Sequence, residues 1–153
     1  MPNILITHIQ VQEVLQELDV NSSGGSDGVH PRFLKELAAE LACPLAHLFN
    51  STLQDGMLPK EWLTSVVVPV FKKGSRFVPI NYRPISLTSP VCKSLERIIV
   101  KLLNVYLHDN NLISDRQYGF RGGHSTSDQL LVTYEEISSL FDKGHTVDLI
   151  FSD

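Results

Sequence analysis

The chain has 153 residues, 42% of them hydrophobic, with a formal net charge of −4. That is one domain's length with enough apolar content for a core, and the acidic balance excludes a uniformly basic nucleic-acid-binding surface. Two widely separated cysteines, Cys43 and Cys92, suggest neither a disulfide framework nor a zinc site, so no disulfide partner is expected.

In chain order, Ile6–Leu18 spaces its apolar residues three and four apart and predicts a short amphipathic helix. A loop rich in Gly, Ser and Asp follows over Asp19–Gly28. His30-Pro31 opens a second helix with Pro31 in its first turn. Phe33, Leu34, Leu37, Leu41, Leu45, Leu48, Phe49 and Leu53 form its apolar stripe, and Pro44 is expected to divide it near Ala42. Gly56 stops it, and Pro59–Trp62 starts a short turn. Ser65–Phe71 is β-branched and reads as a strand, with Pro69 at a bulge or an unpaired edge position. Tyr82–Leu87 is its hairpin partner. Pro90–His108 carries one wide apolar face and predicts a helix. Ser125–Lys143 predicts another, with Ser125 as N-cap, Asp128 completing a capping box and Gly144 as stop. Thr146–Asp153 reads as a buried strand. Both cysteines read as small buried apolar residues. The first residues lack a basic start and a long apolar run, and no stretch is long enough to span a bilayer. An intracellular location, nucleus or cytoplasm, without a membrane partner is the expectation.

Charge is unevenly placed. No Asp or Glu occurs from Trp62 to Leu95, whereas Lys72, Lys73, Arg76, Arg83 and Lys93 all do; this segment carries +5 and leaves −9 for the rest. Such a stripe is either a solvated loop or a footprint for phosphates. Lys72, Lys73 and Arg83 have the type and reach to grip a triphosphate, lysine as a mobile point charge and arginine as a bidentate fork. Arg76 sits in the connecting loop, suited to a backbone phosphate. Gln117–Thr126 places Gly119, Gly122 and Gly123 around Phe120 and Arg121, a backbone that can approach a ligand closely just before a helix N-terminus. Tyr82, Tyr118 and Phe120 either stack on bases or fill core. Asp148 and Asp153, five apart in a strand, point to opposite faces and cannot act as a pair. No Ser-His-Asp or Cys-His arrangement can be built from the scattered histidines.

These segments, in this order, resemble the reverse transcriptase of non-LTR (LINE-type) retrotransposons, most like the jockey-like branch of vertebrate genomes, over nearly the whole chain. Gly25-Ser26-Asp27-Gly28 is similar to a loop usually written GPDG, with Ser26 in place of proline. Val68–Gly74 (VPVFKKG) and Asn81–Leu87 (NYRPISL) look like the first fingers motif, and Gln117–Arg121 (QYGFR) like the second, with Gly123 and His124 departing from the usual pattern beside it. Val147–Asp153 looks like the start of the first catalytic motif of the palm. The resemblance implies an α+β fold: mainly helical fingers with a β-hairpin over 1–145, and the first palm strand over 146–153. It implies RNA-directed DNA synthesis with Mg²⁺, an RNA template, a DNA primer and deoxynucleoside triphosphates. By this carry-over Asp153 is the catalytic and metal-binding carboxylate, Lys72, Lys73 and Arg83 bind nucleotide, and Arg76, Gln117, Gly119, Phe120 and Arg121 contact template and primer. One Asp cannot assemble a two-metal site, so the chain is expected to be a polymerase fragment, inactive alone. The alternatives are a stand-alone nucleic-acid-binding module using the basic hairpin, and an interaction protein pairing through its last strand.

Overall fold

The structure, a computed structural model, describes residues 4–150. It is α+β, five helices and a two-stranded antiparallel hairpin, in two compact units divided between Tyr106 and Leu107.

Helix α1 (His8–Gln16) begins where Thr7 and Gln10 form a reciprocal capping box. It buries Val11, Val14 and Leu15, one face at helical spacing. Pro31 opens α2 (Pro31–Glu36), and Lys35 Nζ donates to the Leu18 carbonyl at 3.0 Å, tying this helix to the end of the preceding one. Helix α3 (Ala38–Asp55) ends at Gly56 in the left-handed region. Two helices do arise here, but the division falls at Leu37, not near Ala42, and Pro44 lies inside α3. Pro44 and Glu40 both face solvent. The Glu40 carbonyl, which would have accepted from residue 44, can therefore bond to water instead. The buried face also differs from the expected leucine stripe. Ala38, Ala42, Ala46, Phe49 and Thr52 are the buried residues of α3, whereas Phe33, Leu37 and Leu48 are exposed. Helix α3 packs on α1, and Leu41, Leu45 and Leu53 flank the buried face, partly buried against the core.

Asn50 fixes the N-terminal segment to α3 from both sides, accepting from Ile6 N–H and donating to the Ile6 carbonyl, each at 2.8 Å. A 3-10 turn (Lys60–Leu63) carries Trp62, whose ring meets Phe49 edge-on at 6.0 Å. Strands β1 (Val66–Phe71) and β2 (Tyr82–Leu87) follow, then α4 (Pro90–Asp109), capped by the buried Ser89 through Cys92 N–H. Val91, Leu95 and Ile98 of α4 join Val11, Leu15, Leu34 and Phe49 in the core of the first unit.

The second unit holds α5 (Thr126–Asp142), with Ser125 and Asp128 in the expected capping box. Residues 145–150 are irregular, so among the described residues the expected last strand has no pairing partner; residues 151–153, with Asp153, lie outside the described residues. Both cysteines are free: Cys92 is buried as expected, but Cys43 is exposed because it falls on the solvent side of α3 beside Pro44. No helix among the described residues is long and apolar enough to cross a membrane.

Candidate nucleotide and nucleic-acid interface

The hairpin aligns six Cα pairs, from Val66 with Leu87 to Phe71 with Tyr82, without a bulge. Just beyond, Lys72 N–H donates to the Asn81 carbonyl at 2.8 Å. Antiparallel alternation then makes Pro69 opposite Pro84 a non-hydrogen-bonded pair. Both ring nitrogens face outward, so no ladder bond is lost and each proline blunts an outer edge. Pro69 thus takes the unpaired edge position.

The same alternation sorts the cations. Arg83 lies opposite Val70, on the face that Lys72 continues. Phe71 and Tyr82 occupy the other face, their rings edge-on at 5.5 Å. Arg76 belongs to that second face: its guanidinium stands 5.2 Å from the Phe71 ring centre, and Tyr82 Oη donates to its carbonyl at 2.9 Å. Lys73 sits in the connecting loop. Lys72, Lys73 and Arg83 are exposed, and among the described residues no carboxylate pairs with any of them. The four cations of the hairpin are therefore split, Lys72 and Arg83 on one face, Arg76 braced on the other and Lys73 in the loop between the strands.

Asn81 closes the loop that presents them. Its Nδ2 donates to the Ser75 carbonyl at 2.8 Å, and Gly74, at φ +87°, lies so close that a Cβ there would stand 2.8 Å from that nitrogen. A side chain at 74 is thus excluded by both conformation and space. Asn81 opens the motif Asn81–Leu87, but its place there does not reveal this role. The signal was a lone Gly three residues after the strand, followed at loop's end by an Asn able to bond the backbone.

In the second unit, Arg121 Nη1 donates to the carbonyls of Ser114 at 3.0 Å and Gln117 at 3.3 Å, so this guanidinium braces its own loop. Tyr118 packs edge-on to His124 at 5.5 Å. Phe120 is fully exposed at φ 58°, an uncommon conformation for a bulky residue. Gly119 has open space around it. The α5 N-terminus, expected to favour an anion, is already complemented by Asp128, whose carboxylate accepts from Ser125 N–H at 3.2 Å and from its hydroxyl at 2.8 Å. A second anion would meet that charge. The described residues contain no group of three or more His, Cys, Asp or Glu able to hold a metal, so they do not by themselves fit an Mg²⁺ site.

Residues 70–150, which span the hairpin loop, β2, α4, the Gln117–Arg121 loop and α5, match the family "Reverse transcriptase (RNA-dependent DNA polymerase)". The chain belongs to the reverse transcriptase family. It is 32% identical over 94% of its length to the probable RNA-directed DNA polymerase from transposon BS of Drosophila melanogaster. Over its full length it is 27% identical to the corresponding probable polymerase from the X-element of that fly, and over 85% it is 30% identical to the RNA-directed DNA polymerase from mobile element jockey. These matches cover 16%, 17% and 14% of the relatives, so this reverse transcriptase chain spans about a sixth of their length. They support the non-LTR, jockey-like branch; being fly elements, they lend nothing to a vertebrate host.

Proposed function

We propose that these residues form the fingers and the start of the palm of an RNA-directed DNA polymerase, and that the hairpin holds the triphosphate of an incoming deoxynucleotide. The carrying observation is the trio Lys72, Lys73 and Arg83, exposed on one hairpin and unopposed by a described carboxylate. A polyphosphate would supply the missing negative charge, with Arg83 as a two-pronged donor and the lysines as mobile point charges. Arg76, held over Phe71, suits a backbone phosphate of the RNA template or DNA primer. Gln117, Gly119, Phe120 and Arg121 are proposed to contact template and primer, with Phe120 as the stacking surface. Asp153 is proposed as the first catalytic and metal-binding carboxylate. Divalent metal ions are general in this family, and further carboxylates must complete the site. These 153 residues alone should not extend a primer; template-dependent incorporation by pure material would overturn that.

Titration with dGTP tests the hairpin. Affinity should fall linearly with the logarithm of salt concentration, and Arg83→Ala should weaken it about tenfold, as expected for a charge-assisted hydrogen bond. Salt-independent binding, or an unchanged variant, rejects the role. Tight primer–template binding without dGTP binding would favour the stand-alone nucleic-acid module instead.

A further inference from the structure

The hairpin's two roots meet at one loop. Both strands are exposed along nearly their whole length, so the helical core does not hold them from the side. What holds them lies at the base. Ahead of β1, Ser26 Oγ lies 3.0 Å from the Thr64 carbonyl, 3.0 Å from the Thr64 hydroxyl and 3.3 Å from the Glu61 carbonyl. A hydroxyl has one proton and two lone pairs, so Ser26 has one proton for these three oxygens, and the Thr64 hydroxyl, itself 3.2 Å from the Glu61 carbonyl, can stand as donor or acceptor toward it. Beyond β2, Gly25 lies against the turn into α4: a Cβ on it would stand 2.5 Å from the Thr88 carbonyl oxygen and 2.6 Å from Ser89 N. Adjacent residues thus fix opposite legs of the hairpin. Their loop is itself anchored, by Asp27 Oδ1 accepting from Val29 N–H at 3.1 Å and by Val29 packing on the core.

We propose that Gly25 and Ser26 are positioning residues for the cationic hairpin, one loop clamping both of its roots and so setting where Lys72, Lys73 and Arg83 stand. This rests on the hairpin being the phosphate-binding element. The leverage is geometric. Six residues of strand carry the tip about 20 Å from the root, so a tilt of about 5° at the clamp moves the tip, with Lys72 and Lys73, by roughly 1.7 Å and Arg83 by roughly 1.2 Å. A misplacement of about 1 Å can cost about a hundredfold where reacting groups must align.

Two readouts test it on the whole chain. The first is the distance between spin labels on exposed Cys43 and on a cysteine introduced by Phe77→Cys at the tip, with the buried thiol removed by Cys92→Ser so that it takes no label. Gly25→Ala should shift the distance by about 2 Å or more. Ser26→Ala should broaden its distribution, and Ser26→Thr, which keeps the hydroxyl, should restore it. Superimposable distributions in both Gly25→Ala and Ser26→Ala overturn the clamp, and if Gly25→Ala fails to fold, Ser26→Ala with its Thr rescue decides. The second readout is dGTP affinity, expected to fall at least tenfold in Gly25→Ala and in Ser26→Ala, and to be kept in Ser26→Thr. Arg83→Ala separates the two ideas, since it should weaken dGTP without moving the labels. Labels that move in a chain that never binds dGTP sink the phosphate reading and leave the clamp; dGTP binding that needs Arg83 but ignores Gly25 and Ser26 sinks the clamp.

Discussion

Phe120 combines a left-handed backbone at φ 58° with a fully exposed ring, two unfavourable choices that a folding role does not explain. A non-glycine residue there costs roughly 1–2 kcal/mol, and strain of this kind clusters at binding sites. Phe120→Gly should therefore act in opposite directions, stabilising the loop by about 1 kcal/mol while weakening primer–template binding by about 1–3 kcal/mol through lost stacking. Hydrogen exchange of the loop amides and fluorescence anisotropy with a labelled duplex read the two effects. Unchanged affinity would return Phe120 to an accident of the turn. The cysteines give a second contrast. Cys43 is exposed, whereas burial and the adjacent Glu96 raise the Cys92 thiol above its ordinary range. The fold holds Cys92 neutral where the unfolded chain ionises it, so its contribution to stability is present at neutral pH and declines as pH rises past the ordinary thiol range. Iodoacetamide at about pH 8 should modify one thiol, the second reacting only after unfolding; two equally fast thiols would contradict that burial.

At the level of elements, short-range chemistry was legible and tertiary fit was not. The cap Ser125, the stops at Gly56 and Gly144, and both strands of the hairpin are carried by residues close in sequence. The buried stripe of α3 is not, because burial of Ala38, Ala42 and Ala46 is set by tertiary packing, and hydrophobicity alone favours the leucines beside them. Pro44 misled for a related reason: its penalty is real, but the continuous buried face from Ala38 to Phe49 outweighs it. That gives a direct expectation. Pro44 is exposed in a helix interior, so Pro44→Ala should restore a backbone hydrogen bond without opening a cavity and stabilise the chain by about 1–3 kcal/mol. A higher urea midpoint at unchanged slope is the result expected. A lower midpoint would mean that α3 needs the bend. At the candidate site, the motif Asn81–Leu87 exposed Arg83, whereas the parting of Arg76 onto the opposite face depends on how the loop turns back over Phe71. The clamp of Gly25 and Ser26 joins residues more than 35 positions apart and had no local signal.

Across the whole molecule, burial is concentrated in the first unit. Among the described residues, those of the core all lie before Tyr106, and α5 contributes no buried side chain, with Leu130, Leu131, Tyr134 and Phe141 strongly exposed. A 17-residue helix without a packed face is near the margin of what propensity and caps sustain in water, since isolated helices shorter than about 12–15 residues are already marginal. Its stability should therefore be local, while Trp62, edge-on to the fully buried Phe49, reports on the core. In urea, far-UV circular dichroism should lose the α5 contribution first, with Trp62 emission unchanged until a second, cooperative transition melts the helical core. Ser125→Ala, by removing the cap, should lower the first transition by about 1 kcal/mol and leave the second in place. Coincident transitions would mean that the second unit draws its stability from the first, and the capping variant would then lower a single midpoint seen by both probes.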